Sequence, residues 1–506
     1  MTELLTRTLE AGKSEASISM PLVAPPTQRV ALRTWGALAV LCLGAFVVVL
    51  DTTIVNIAIP NIMTGLHASL DQVLWVLNAY TLVYAALLIT GGRLGDLYGP
   101  RRLLIVGVVV FAGASIGCAL APSAGILIAA RVLQGVGGAL MTPQTLAMIS
   151  LIMPANRRGP AIGLWSGSAG LAAAVGPSLG GVLVTTAGWR WVFLVNVPFG
   201  IAAIAGAYAL LPGVVPGRRH RLDFGGIALA TSGLLAVVFG VVEGQRFAWS
   251  TITGPVTIPA VLAAGVVLLA GFVFWERGQP EPLMPPKLFA ARSFAVSAWV
   301  VFVFQTVMLA LVVVASLFFQ SALRMTALDA GLALAPMPLT FMLVGPLAGR
   351  LADRVDIKFI LMGAMLVAAG GVGWLMASVS TAATSATFIP ALVVTGAGLG
   401  CGFAVVMTVG MRGIGPQFAG AAAGVLNTFR QVGGAMGGAI AVALLQSRLS
   451  LVGPAQIAAH HLDYANSFVG AFKATLVVPA LLLLLAAASC LLLRPQTPPS
   501  RLPLNR

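Results

Sequence analysis

From Trp35 onward the chain alternates apolar runs with short polar breaks, and most runs reach the length of about 20 residues that spans a hydrocarbon core as helix. The pattern predicts fourteen spans. Six come first, at 35–61, 71–92, 102–120, 124–152, 158–186 and 190–211. Two follow at 224–243 and 255–275, and six more at 293–319, 327–350, 357–377, 384–409, 418–446 and 468–492. An even number of crossings returns the chain to the side on which it began.

Composition closes off a soluble fold. Apolar residues make up 59% of the chain and charged residues 8%, against roughly 25% charged in soluble globular proteins. The 29 Lys and Arg outnumber the 14 Asp and Glu, yet they are spread over short loops and form no continuous phosphate-binding face, which argues against a nucleic-acid partner. They follow the positive-inside rule instead. Twenty-two fall on the side of the termini, five on the other, and Arg131 and Arg430 lie inside spans, so both termini are expected in the cytoplasm. Cys42, Cys118, Cys401 and Cys490 sit in apolar runs without C-x-x-C spacing, which argues against disulfides and a thiolate metal site.

Residues 1–33 are mixed polar and lack the apolar core of a signal peptide, so a cytoplasmic tail is expected there. Gly12-Lys13-Ser14 ends like a phosphate-binding loop, but Arg7 stands where that motif needs glycine, and ATP-driven pumping finds no support. Gly92-Arg93-Leu94-Gly95-Asp96 after the second run recurs as Gly349-Arg350-Leu351-Ala352-Asp353-Arg354 after the tenth. A repeat of this kind divides the chain into two halves. The boundaries are a tail 1–33, a six-helix bundle 34–212, a connector 213–292, a second six-helix bundle 293–493 and a tail 494–506. The connector carries two inserted spans and opens on the basic run Arg218-Arg219-His220-Arg221.

Gly92-Arg93-Leu94-Gly95-Asp96-Leu97-Tyr98-Gly99-Pro100-Arg101-Arg102 resembles the G-x-L-x-D-x-x-G-x-R/K-R/K cytoplasmic loop signature of the major facilitator superfamily. Three further stretches narrow the resemblance to the 14-helix drug:proton antiporters. They are Leu50-Asp51-Thr52-Thr53-Ile54-Val55-Asn56-Ile57-Ala58-Ile59-Pro60, Arg131-Val132-Leu133-Gln134-Gly135-Val136-Gly137-Gly138 and Gly176-Pro177-Ser178-Leu179-Gly180-Gly181. The likeness implies an all-α integral membrane fold, with two six-helix bundles plus two inserted transmembrane helices, functional as a monomer. The abundance of Arg, Ala, Gly and Val fits a GC-rich bacterium, and the expected location is a bacterial cytoplasmic membrane. Leu97 and Pro100 depart from the signature, so the basic partner of Asp96 is expected at Arg101 or Arg102. In the second copy Asp356 occupies the glycine position.

Asp51 is the only acid deep in any predicted span. An ionised carboxylate there is expensive, so its protonation depends on which side admits water, the property a proton-coupling site needs. The alternative is a fixed hydrogen-bond network that merely neutralises it. Arg131 cannot lose its charge and can only bias its neighbours; the resemblance implies that it couples with Asp51, and locking of helix packing through backbone carbonyls is the other reading. Gly176, Pro177, Gly180 and Gly181 clear side chains from one helix face and remove a backbone donor, and in the family they mark antiporters and seal the outward side. Gly92, Asp96, Gly99, Arg101 and Arg102 form the expected cytoplasmic gating loop. There Asp96 can meet a neighbouring helix N-terminus or a basic side chain and latch the outward-facing state.

Arg430 is expected to face the cavity, because lipid exposure at that depth costs several kcal/mol. Asn56, Trp75, Asn78, Tyr80, Gln134, Trp165, Phe304, Gln305, Asn427 and Gln431 are further candidates for the cavity wall. Glu243 is placed at the outer interface, and His460, His461 and Asp463 are too weak a signal for metal.

Taken together these residues point to export of small amphipathic drugs or toxic compounds by alternating access, with protons as coupling ion and no cofactor. The nearest rival is a dedicated exporter of one natural product or antibiotic. A membrane enzyme lacks clustered His, Cys or carboxylates, and neither a channel nor a receptor requires the half-to-half repeat. With a single deep carboxylate, monovalent lipophilic cations and neutral amphiphiles are the expected substrates rather than rigid dications.

Overall fold

The computed structural model describes residues 32–154, 157–213, 223–244, 246–279, 282–284, 287–325, 327–351, 355–381, 383–450 and 461–493. The expected tails up to residue 31 and from 494, the run Arg218-Arg219-His220-Arg221, the triplet Ala352-Asp353-Arg354 and His460 lie outside these residues. Fourteen membrane-length helices account for nearly all of the rest. The first half contains α1 (Leu32–Leu66), α2 (Leu70–Tyr98), α3 (Pro100–Leu120), α4 (Ala124–Ile152), α5 (Arg158–Thr186) and α6, which runs as Trp191–Leu194 and Asn196–Leu210. Next come α7 (Phe224–Glu243) and α8 (Ile258–Arg277). The second half contains α9 (Arg292–Ser321), α10 (Ala327–Leu334 and Pro336–Leu351), α11 (Ile357–Ser378), α12 (Ser385–Met411), α13 (Ala419–Ser450) and α14 (His461–Ser489).

Local chemistry sets the helix ends. Ser69 and Gln72 form a reciprocal capping box at the start of α2, and the side chains of Ser123, Asp223 and Thr257 cap α4, α7 and α8. Three sequence expectations need correction. The signature starting at Gly92 is not a loop: α2 continues through Asp96 to Tyr98, because nothing breaks a helix before Gly99-Pro100. Gly99 takes φ 93° and turns the chain, and Pro100 starts α3 with its fixed φ. Second, Arg33 belongs to α1 and not to a tail, its guanidinium donating to the Ala209 carbonyl in the last turn of α6 at 3.2 Å. Third, α8 begins three residues later than expected. The preceding residues pair as a hairpin, β1 (Thr251–Thr253) with β2 (Val256–Thr257), which turns at Gly254 with φ 54°.

The packing repeats at an interval of eight helices. In the first half α4 packs between α2 and α3 while α1 packs against α5; in the second, α12 packs between α10 and α11 while α9 packs against α13. α7 and α8 lie side by side, with α7 against α2 and α13. The halves meet along α5 and α10 and along α2 and α13. Glycines allow backbones to touch there: Gly159 lies on Gly349, Gly163 on Gly345, Gly92 on Gly420, and Gly424 on the Leu88 carbonyl. These contacts run from the end that carries Arg93, Arg101 and Arg158 to about mid-helix. Toward the opposite end, α1 leaves Thr52, Asn56, Ile57 and Pro60 exposed, and α5 leaves Leu171, Val175 and Val182 exposed.

Candidate functional site

Five helices of the first half converge on one carboxylate. Asp51, in the middle of α1, is 0% exposed. Its Oδ2 accepts from Nη1 of Arg131 on α4 at 2.6 Å, and its Oδ1 accepts from the Gln134 amide at 2.8 Å and from the Asn196 amide of α6 at 2.8 Å. Arg131 and Gln134 are three positions apart and share a face of α4, and Arg131 also donates to Gln134 Oε1 at 2.7 Å. The Arg131 Nε donates to the Val76 carbonyl of α2 at 3.0 Å, and Gln134 donates to the Ser115 hydroxyl of α3 at 2.8 Å. One face of Tyr80 lies 4.3 Å from the guanidinium carbon. A buried charge pair is stable only when its remaining donors and acceptors are satisfied, and here they largely are.

The structure therefore brings together Asp51, Arg131 and Gln134, and adds Asn196, Ser115 and Cys118, which the sequence reading missed. Asn196 carried a signal, being an amide within an apolar run. α6 is interrupted beside it at Val195, where Pro198 can supply no N–H to the Leu194 carbonyl. The expectation that a cationic substrate sits beside Asp51 is corrected: both carboxylate oxygens are taken and no surface remains.

The glycine-proline stretch of α5 packs on the next turn of α1. A side chain on Gly176 would overlap Thr53, one on Gly180 would meet Ile54, and Gly181 faces open space. These contacts lie within the first half, so the motif joins α5 to the helix that carries Asp51.

At the basic end, Asp96 reaches the other half. Its two carboxylate oxygens accept from the backbone N–H groups of Gly420 at 2.7 Å and Ala421 at 2.8 Å, in the first turn of α13. Four N–H groups there have no partner within the helix, and the dipole favours an anion. Gln144 of α4, also missed, donates to the Gly91 carbonyl at 2.8 Å and packs its amide on Gly95. The expectation that Arg101 or Arg102 pairs with Asp96 is corrected. Arg101 donates to the Tyr208 carbonyl in the last turn of α6 at 2.8 Å, and Arg102 is exposed.

The cavity candidates separate into groups. Trp75 and Asn78 meet the inserted helix α7: Trp75 lies on Phe239 with ring centroids 6.1 Å apart, and Asn78 donates to buried Glu243 at 2.7 Å. Arg246 then joins Glu243 at 3.2 Å to Asp71 at 2.8 Å. Tyr80 and Gln134 belong to the acid cluster. Trp165 donates to Thr145 of α4 at 3.0 Å, and Phe304 packs against Phe403 of α12, so both are buried within their own halves. Tyr80, Gln134, Trp165 and Phe304 are thus buried, which corrects their expected place in a cavity wall, whereas Trp75 and Asn78 are half-buried. Asn56 is exposed on α1, Gln305 lies over Gly434, Asn427 donates to the Ala423 carbonyl, Gln431 is half-buried, and Arg430 donates to the Tyr84 hydroxyl at 3.4 Å.

A profile described as the Major Facilitator Superfamily matches residues 41–438. The tetracenomycin C resistance and export protein of Streptomyces glaucescens is 35% identical, over 83% of this chain and 78% of that one. The puromycin resistance protein of Streptomyces alboniger is also 35% identical, over 86% of this chain and 85% of its own. Among solved structures, the human organic anion transporter MFSD10 shares the fold with a TM-score of 0.61 at 15% identity, covering 91% of this chain and all of the other.

Proposed function

The chain belongs to the Major Facilitator Superfamily, and on that premise we propose that it exports small amphipathic compounds across a bacterial cytoplasmic membrane in exchange for protons. It is a multi-pass transporter of small molecules, not an enzyme. The observation that carries the proton coupling is the sealed Asp51 cluster. Ionised Asp51 ties α1 and α6 to α4 through Arg131, Gln134 and Asn196. Protonation removes the charge and leaves Arg131 with Gln134 and the Val76 carbonyl as acceptors, which loosens α1 and α6 from α4. A group whose charge state changes how helices are tied can link a proton to rocking of the halves.

The basic end lies in the cytoplasm by the positive-inside rule. Closure there, with exposed faces of α1 and α5 at the other end, is the outward-facing state, and the bond from Asp96 to α13 holds it. Both halves lie in one chain, and the working unit is the monomer. The resistance proteins above make tetracenomycin C and puromycin the first compounds to assay. Relatives named for single antibiotics also favour a narrower reading, export of one natural product, and protection of a host against only one compound of a broad panel would establish it.

The coupling test uses proteoliposomes with an imposed pH gradient. Asp51→Asn should insert and bind substrate yet lose uphill transport. Equal gradient-driven transport by wild type and variant would sink the assignment.

A further inference from the structure

Arg430 is a membrane-interior cation that takes no part in the ion pairs of Arg131 and Arg246. It sits near the middle of α13, where the halves meet. One guanidinium nitrogen donates to Tyr84 of α2 at 3.4 Å, at the long end of the hydrogen-bond range, and its Nε has no partner. Arg131 pairs with Asp51, and Arg246 with Asp71 and Glu243, and neither pairing includes Arg430. Its neighbours on α13 are neutral, and Asn427 Oδ1 and Thr428 Oγ1 are also without partners. Asp51 cannot supply the missing charge, since Arg131, Gln134 and Asn196 occupy both its oxygens.

The link from Arg131 to Arg430 runs through two rings and carries no acid. Arg131 lies on the face of Tyr80, Tyr80 stacks on Tyr84 with centroids 5.7 Å apart and planes 5° apart, and the Tyr84 hydroxyl faces Arg430. With Asp51 ionised, this interior cluster holds two cations and one anion. A guanidinium at this depth without an anion is costly, and its fork of donors suits a carboxylate or sulfonate.

We propose that Arg430, positioned by the Tyr84 hydroxyl that accepts from it and donates to Thr142 at 3.3 Å, is the subsite for the anionic group of an amphipathic organic acid, and that such monoanions are the favoured substrate class. This departs from the monovalent lipophilic cations and neutral amphiphiles expected from the sequence. It deepens the exporter reading, and only the transport arm of its test rests on that reading.

The full chain in nanodiscs is titrated with three probes that share one apolar body: pyrene butyrate, pyrene butanol and pyrene butyltrimethylammonium. Empty nanodiscs serve as the blank. Wild type is expected to bind the butyrate about tenfold or more tighter than the trimethylammonium probe, the scale of a charge-assisted hydrogen-bonded pair. Arg430→Gln should abolish that preference, Arg430→Lys should keep part of it, and Tyr84→Phe should reduce it by a smaller factor. The ratio is read within each variant, so a general loss of affinity does not imitate the effect. Arg430→Met gives the same readout where Arg430→Gln does not fold. A wild-type ratio near one, a preference for the cation, or a ratio unchanged by loss of Arg430 overturns the subsite. Gradient-driven efflux is measured in parallel. Arg430-dependent binding of the butyrate without efflux of any probe would remove the exporter reading and leave the subsite standing; efflux with an unchanged ratio would do the reverse.

Discussion

Replacing Asp96 by Asn exchanges one heavy atom and should change which side of the protein is open. The carboxylate accepts two backbone N–H bonds from the first turn of α13, at 2.7 and 2.8 Å. An amide has one acceptor oxygen for two donors and presents its own NH2 to the second. One bond is lost and the other falls from charge-assisted to neutral, a cost of about 2–3 kcal/mol with the helix-end contribution included. At about 1.4 kcal/mol per tenfold, the ratio of cytoplasm-open to cytoplasm-closed molecules should rise about 30- to 150-fold. In the open state the side chain is hydrated in either form, so the loss falls on the closed state alone. Spin labels at Tyr98, at the end of α2, and Phe359, on α11, are exposed and lie in different halves. Their distance distribution should move from one population toward a longer one in Asp96→Asn. Distances and transport both unchanged would show that the bonds to α13 do not set the equilibrium, and Asp96 would then be an ordinary helix-end acid.

Gly176→Val should block transport or folding, because the added carbons overlap Thr53; overpacking of this kind costs about 1–3 kcal/mol. Thr53→Ala should restore part of the loss, and failure of that rescue in a melting and transport assay would argue against the contact. Arg131→Lys keeps the charge but offers one ammonium where the guanidinium serves Asp51, Gln134 and the Val76 carbonyl, so coupled transport should fall about tenfold or more while expression is retained. Near-normal rates in Arg131→Lys would show that charge alone suffices. Glu243→Gln breaks the link to Arg246 and should lower stability by about 1 kcal/mol while gradient-driven export survives, since Glu243 faces Asn78 and not the acid cluster. Loss of pH dependence in that variant would make Glu243 a second coupling acid.

How much of this was legible without the fold depends on what each feature is made of. The fourteen helices follow from local chemistry, because lipid offers the backbone no hydrogen-bond partners and an apolar run of sufficient length must satisfy them internally. Asp51, Arg131 and Arg430 stand out for the same reason: a charge in such a run is costly and must be matched or used. The partners of those charges were not legible. An Asn, Ser or Gln inside an apolar run carries no periodicity that says which way it points, so Asn196 and Ser115 went unrecognised, and the contacts of Trp75 and Asn78 with α7 could not be read along the chain. Asp96 shows the division most plainly. Its position at a helix end was written in the local motif, but its acceptor geometry is completed by N–H groups 324 and 325 residues away. Backbone hydrogen bonding acts within a few residues and so can be read along the chain, whereas electrostatic pairing acts through space and is decided only when the two halves have packed.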